Sequence, residues 1–507
     1  MELLDRLARC AKDRPEQIAF KNLYTGETLN YRELDALSDR IAYRLGSLLP
    51  ERGTPVVVYG HKSPLMIAAF LGCVKAGHPY CPTDISMPAQ RLRDILELSQ
   101  APLLIRLEET EAACARALDA REIAALPAPP EGTHFTPVEG EEVFYIIFTS
   151  GSTGKPKGVQ ITADCLAHYL RWMETMAVRG GFSERPVFLN QAPFSFDLSV
   201  MDLYTALFLG GTVAALDKRV LEDMRLLYDA LGDSGIQAWV STPSFVNMCL
   251  VSPNFDQRLL PALRSFLFCG EVLTNKTARE LLRRLPEAQV VNTYGPTEST
   301  VAVTEIVVTE EMAARDTPLS IGQAKPGTQI FIMDESYRYP GLPDGEKGEI
   351  VIAGDTVARG YLHQPALTAE KFIVIDTPAG PLRAYKTGDV GWLRDGLLYY
   401  SGRMDFQLKI NGYRIELGDI ESNLLSLAHI TACVVLPIEK NGANKGLCAF
   451  LSTDEAVADP FARAQQLRKE LMDRLPQYMV PKKYIFLDSI PRTGNGKADR
   501  NALRALM

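Results

Sequence analysis

The chain has 507 residues, more than one hydrophobic core organises, so two or more domains are expected. Hydrophobic residues make up 46%, the content of an ordinary globular enzyme. Against 54 basic residues stand 62 acidic ones, a net charge of −8 with no basic block, which makes nucleic acid and anionic membrane poor partners.

The first five residues, Met1 to Asp5, carry acid where a secretory leader carries base. No run approaches about eighteen apolar residues, so a cytoplasmic protein with no direct membrane insertion is expected. The nine cysteines are scattered and form no CxxC pair, which points to reduced thiols serving mostly as small core residues. The six histidines show no HExxH pattern, and no zinc site is legible.

Up to residue 135, helical patterns alternate with short apolar strands. Arg32–Leu45 has apolar residues at helical spacing, Pro55–Tyr59 reads as a strand and Pro64–Lys75 as a helix. Glu108–Ala125 is charged and alanine-rich and reads as an exposed helix; Pro127–Gly132 is a turn-rich loop. The run Val143–Phe148 reads as a buried strand. Short strands at Pro186–Leu189, Thr212–Leu216, Ala238–Val240, Phe266–Phe268 and Val290–Val291, with helices between them, imply largely parallel sheets covered by helices. From about 320 to 400 strands recur at closer spacing (Gln329–Met333, Glu349–Ala353, Leu397–Tyr400), which favours a small antiparallel unit. A compact α+β tail follows, with a domain boundary near 402–406.

The loop after Val143–Phe148 is the most informative stretch. Thr149–Gly158 (TSGSTGKPKG) sets backbone N–H groups, hydroxyls and two lysines behind a strand, which is a cradle for phosphate. It is no Walker A loop, because Pro156 stands where that motif needs Ser or Thr. Farther on, Asp197 sits among aromatic and small residues in Phe194–Ser199. A carboxylate there needs a cation, and a substrate ammonium is one; the alternative is an N-cap for a helix over Leu198–Leu207. Asn292–Glu298 (NTYGPTE) offers an aromatic face for adenine, hydroxyls and one acid for Mg²⁺, or is an ordinary Gly-Pro turn. Asp389, in Thr387-Gly388-Asp389, can accept both hydroxyls of a ribose. Gly402-Arg403-Met404-Asp405 opens the tail, followed by Lys409–Glu416 (KINGYRIE). Lys497, near the end, is either a solvated surface lysine or one that reaches into a cleft.

Together, in this order and spacing, these motifs resemble the adenylate-forming superfamily. That group holds acyl-CoA synthetases, luciferases and the adenylation domains of nonribosomal peptide synthetases. The resemblance runs from Leu29–Ala42 and Lys75–Asp84 to Lys497. Within the superfamily, Asn190–Tyr204, Ser241–Leu250 and Phe268–Leu273 are similar to the stand-alone ligases that load D-alanine onto a carrier protein for teichoic acid D-alanylation. The chain stops ten residues after Lys497, so a ligase without a fused carrier domain is expected.

The resemblance implies an α/β adenylate-forming fold. A large N-terminal domain, residues 1–402, would hold β/α subdomains and a small β-barrel. A small mobile α+β domain, residues 403–507, would turn about a hinge at Asp405. It implies ATP and Mg²⁺ as cofactors. Ser152 and Thr153 would hold the β- and γ-phosphates. Asn292, Thr293, Tyr294, Gly295, Pro296 and Thr297 would line adenine and α-phosphate, with Glu298 on the metal. Asp389 would take the ribose, with Tyr400, Ser401, Gly402 and Arg403 nearby. Asp197 would meet the substrate ammonium, and Leu198, Cys269, Thr293 and Val301 would wall the side-chain pocket. Cys269 also fits a plain core thiol. Lys497 would be catalytic, touching both substrate carboxylate and α-phosphate. The implied partners are D-alanine and a phosphopantetheinylated D-alanyl carrier protein, and the implied state is a monomer. Three other readings stay open: activation of another small amino acid for a peptide synthetase, an acyl-CoA synthetase, and a non-catalytic nucleotide-binding regulator.

Overall fold

Two helix-covered sheets form the body of the protein. The computed structural model describes all residues except 152–154, 183, 405–406, 411–412, 441–442, 456 and 493–497. Ser152, Thr153, Asp405 and Lys497 therefore lie outside the described residues.

The first sheet has nine strands, in the order 323–324, 304–307, 289–294, 265–268, 238–241, 187–190, 212–215, 18–22 and 28–30. The pairs from 289–294 across to 18–22 are parallel, and the pairs flanking that run on both sides are antiparallel. The second has seven strands, in the order 360–361, 157–162, 143–149, 80–84, 56–60, 103–106 and 116–119. Val56–Gly60 and Tyr80–Asp84 are buried along their whole length, as parallel strands covered on both faces must be.

One hydrophobic cluster joins the sheets. It contains Val56, Tyr80 and Ile147 from one and Phe188, Val213 and Val240 from the other. Pro64–Lys75 runs through it as a helix buried from Met66 onward, started by Ser63, whose side chain accepts from the Leu65 N–H, and by Pro64 in the first turn. It packs on the helix Tyr31–Leu48, which a reciprocal Asn30–Glu33 capping box begins. Gly72 permits that approach: a Cβ there would lie 2.5 Å from Ile41 Cγ2.

The expected exposed helix over Glu108–Ala125 does not form. Arg116–Asp119 pairs as a parallel edge strand with Leu103–Arg106, and helix is confined to Ala120–Ala124 behind an Asp119–Glu122 capping box. Strand pairing and burial of Ala112 and Leu118 outweigh the helical preference of the alanines and glutamates.

Residues 328–403 build the small β unit. It is an open antiparallel sheet of five strands, so the expected barrel is not closed by strand pairing among the described residues. Its spine, Gly380–Arg394, was not foreseen, nor was its neighbour Phe372–Thr377. The spine pairs with Gly348–Gly354 on one side. On the other it takes Phe372–Thr377 and then Leu397–Arg403. The tail holds a hairpin (Gln407–Ile410 with Tyr413–Glu416), the helices Leu417–Leu425 and Pro460–Met472, and a three-stranded sheet. Its two hydrophobic clusters contain only residues from Leu408 onward. No helix among the described residues is long and apolar enough to cross a membrane.

Candidate active site

A cleft of about 110 Å³ opens at the carboxyl ends of the parallel strands, where α/β sheets present their ligands. Strands ending at Asn190, Phe268 and Tyr294 hand it Asp197, Cys269 and Gly295 in turn. The small β unit adds Asp389 and Arg403, and the tail adds Tyr413, Arg414 and Tyr478.

One end suits a small zwitterion. Asp197 occupies the N-cap position of the helix Leu198–Phe208 with helical backbone angles, and its side chain makes no cap bond to that helix. The carboxylate lines the cleft with Leu198, Cys269 and Val301. Cys269 is buried, and its thiol points at the Val301 carbonyl, 3.6 Å away. Val301 and the preceding Thr300 both have positive φ, +69° and +60°. For a β-branched valine that conformation costs on the order of 1–3 kcal/mol, and it holds a pocket wall in place. Gly295 makes the turn possible, since a Cβ there would lie 2.6 Å from Ala302 Cα.

The other end suits a nucleoside. Asp389 and Arg403 face each other across antiparallel strands, in direct register, 2.8 Å apart. Arg403 also donates to the Thr387 carbonyl at 3.0 Å, and the Tyr294 hydroxyl donates to Asp389 Oδ2 at 2.6 Å. Both carboxylate oxygens are thereby oriented, with acceptor capacity left for a diol. Asn292 and Thr293 are turned inward, donating to the Ser320 and Phe268 carbonyls. Gly295, Pro296 and Thr297 line the cleft directly. Tyr400 lies beside Tyr294 with ring centres 6.5 Å apart, and Ser401 is exposed and receives a hydrogen bond from Lys347.

Next to Thr297, which lines the cleft, stands Glu298, on the short 3₁₀ turn Thr297–Ser299 and fully buried. Arg414 donates to its Oε2 at 2.6 Å and the Tyr361 hydroxyl to its Oε1 at 2.8 Å; Lys157 Nζ is 3.5 Å from Oε1. Burial raises the acid, yet Arg414 and Lys157 prevail and hold it well below the usual carboxylate range. Burial pulls the Lys157 ammonium down to about 8. The tail reaches further into the cleft through backbone. Ser150 Oγ donates to the Arg414 carbonyl at 2.9 Å and accepts from the Glu416 N–H at 3.2 Å. Phe196 packs edge-on against Tyr413, which stacks on Tyr478 at 3.8 Å.

The family profile described as AMP-binding enzyme matches residues 7–362, and the profile of the AMP-binding enzyme C-terminal domain matches 419–497. The chain belongs to the AMP-binding enzyme family. The curated D-alanine--D-alanyl carrier protein ligase of Bacillus anthracis is 45% identical over 99% of both chains, and the ligase of that name from Bacillus cereus is equally similar. Among solved structures, a nonribosomal peptide synthetase protein containing adenylation and carrier domains superposes with a TM-score of 0.85 at 29% identity, covering 100% of this chain and 84% of its own. The o-succinylbenzoate CoA synthetase of Bacillus subtilis shares the fold, with a TM-score of 0.83 at 23% identity over 99% of this chain and 98% of its own.

In this AMP-binding enzyme, the cleft brings together Asp197, Leu198, Cys269, Gly295–Thr297, Val301, Asp389 and Arg403. Sequence reasoning assigned no site role to Arg414, Tyr361, Tyr413 or Tyr478. Arg414 lies within the noted KINGYRIE stretch, a basic residue flanked by Tyr413 and Ile415 and so a candidate for burial with a counter-charge. Tyr361 carries no such local signal, because only the folded chain brings it to Glu298.

Proposed function

We propose that this chain is an AMP-forming ligase that activates D-alanine with ATP and passes it to the thiol of a carrier protein. The observation that carries the reading is the shared cleft: an acid for an ammonium at one end, an oriented acid–arginine pair for a ribose at the other. Whole-length similarity to ligases of that name supports the choice of D-alanine. A fatty acid carries no ammonium for Asp197 to bind, which argues against an acyl-CoA synthetase.

In the first half-reaction a carboxylate oxygen of the substrate bonds to the α-phosphorus as the bond to the pyrophosphate oxygen breaks. Asp197 holds the substrate ammonium, Asp389 the ribose hydroxyls, and Lys497 offsets the repulsion between the two anions. In the second, a phosphopantetheine sulfur bonds to the acyl carbon, AMP leaves with the bonding pair, and the thiol proton passes to solvent. The proposed division into residues 1–402 and 403–507, hinged at Asp405, lets the tail serve both steps from two orientations.

Glu298 fits a divalent cation: it is a buried carboxylate that stays ionised, and Mg²⁺ typically combines one or two carboxylates with phosphate oxygens. Mg²⁺ held there would neutralise phosphate charge. The same carboxylate here takes the tail's Arg414. The metal and the docked hairpin thus compete for one anion, which supports reading this arrangement as the thioester-forming orientation.

The test is ATP–pyrophosphate exchange with a panel of small amino acids that includes both alanine enantiomers, followed by transfer to holo carrier protein. D-alanine giving the highest kcat/KM is expected; preference for another amino acid overturns the substrate assignment.

A further inference from the structure

Behind the cleft wall that carries Asp197 lies a lysine that neither half-reaction uses. Lys62 leaves the end of strand Val56–Gly60 in the seven-stranded sheet and crosses to the nine-stranded one. It is 2% exposed. Its ammonium donates to Asn190 Oδ1 and to the Ala192 carbonyl, reaches the Asn190 carbonyl at 3.4 Å, and lies 4.6 Å from the centre of the Phe194 ring. An ammonium has three N–H donors, and three acceptors from one short segment use them all. Asn190 continues the chain of bonds, its amide donating to Asp202 Oδ1 at 2.5 Å.

The two anchor points bracket Asp197. Ala192 stands five residues before it and Asp202 five residues after it. Within the segment from Asn190 to Asp202, Gln191–Pro193 and Ser195–Leu198 make one wall of the cleft. A buried cation is costly unless its bonds repay it, and an apolar side chain fills such a space without that cost. Burial pulls this ammonium down to about 8 despite Asp202, Asp84 and Asp217, which favour its charged form. The cost falls at the segment that presents Asp197.

We propose that Lys62 is a positioning residue for amino-acid recognition, gripping the Asn190–Phe194 segment so that the Asp197 carboxylate meets the substrate ammonium. The proposal rests on the reading of Asp197 as the ammonium's partner. Lys62 touches neither substrate nor nucleotide in this role, so its removal acts selectively on one substrate.

The experiment is exchange kinetics on the full-length Lys62→Met and Asn190→Ala variants, with Asp197→Asn as reference and thermal unfolding to verify folding. Misplacing a binding group by about 1 Å costs up to about a hundredfold, so the D-alanine KM is expected to rise roughly ten- to a hundredfold in both variants. The ATP KM is expected to stay within about twofold, and the preference for D-alanine over propionate, which lacks the ammonium, to shrink. A merely structural role moves both KM values together and leaves that preference intact; this result overturns the proposal. So does an unchanged D-alanine KM in a folded variant when Asp197→Asn raises it. If Asp197→Asn itself leaves the D-alanine KM unchanged, the reading of Asp197 fails instead. Should Lys62→Met fail to fold, Asn190→Ala decides alone.

Discussion

The molecule has two seams, and they are built from different materials. Between the two large sheets runs a continuous apolar core, with the Lys62–Asn190–Asp202 network set into it. Between the large body and the tail no hydrophobic cluster crosses among the described residues. Among the described residues that seam holds ion pairs, the Ser150 hydrogen bonds to tail backbone and an aromatic trio: Arg414 on Glu298, Arg91 on Asp419 at 3.3 Å, and Phe196 against Tyr413 and Tyr478. Apolar burial is non-directional and is lost wholesale when a seam opens. Charged partners can be exchanged for other charges. A seam of ions suits the two orientations proposed for the tail, and a seam of hydrocarbon suits a fixed junction.

The largest expected effect tests the tail's side. Lys497→Ala should cut adenylate formation by about 10²–10³ while leaving thermal unfolding unchanged, by analogy with lost transition-state donors. Near wild-type pyrophosphate exchange in that variant contradicts the assignment of the tail's lysine.

Next comes the ion pair itself. Arg414→Ala leaves Glu298 buried with a partner missing, which costs roughly 3–5 kcal/mol in the docked orientation. Thioester formation should slow by about tenfold or more, and exchange by less than about threefold. Interdomain fluorescence transfer should report a smaller docked population. Equal loss in both half-reactions would erase the distinction drawn between the seams.

The same carboxylate predicts a pH dependence. Glu298 lies below its ordinary value of 4.5 in the folded protein. Its contribution to stability is therefore present in full above that value and drains away as the pH falls toward the lower folded-state value. Glu298→Gln removes that dependence. On going from about pH 7 to about pH 3.5, the Tm of the wild type should fall farther than that of the variant. Parallel curves would mean that the acid contributes nothing ionic.

The smallest effect lies on the fixed side. Cys269→Ala should narrow the D- over L-alanine preference by about three- to tenfold, within the roughly 1–3 kcal/mol that one methyl-sized contact supplies. An unchanged ratio of kcat/KM removes Cys269 from enantiomer selection.

Much of the fixed side was legible along the chain. Val143–Phe148, Thr212–Leu216, Ala238–Val240 and Phe266–Phe268 were readable as strands because β-branched and aromatic runs bounded by turns declare themselves locally. The residues expected at the nucleotide end, Asp389 and Arg403, sit fourteen positions apart, and one antiparallel pairing brings them face to face. Legibility failed where a distant partner decided. Glu108–Ala125 has the composition of a helix, but an edge of sheet was available and part of it took that. Lys62 stands between a strand and a helix start, where a lysine is usually solvated, and nothing nearby announces its burial.

Several buried strands, the Gly- and Pro-rich loops at strand ends and the acids those loops carry are settled by the amino-acid sequence alone, because backbone preference and turn chemistry act over a few residues. Which cation faces Glu298, and which lysine grips the segment before Asp197, was decided only by the tertiary structure. Those contacts join residues 116 and 128 positions apart, and a charge's partner and its burial are properties of the packed interior.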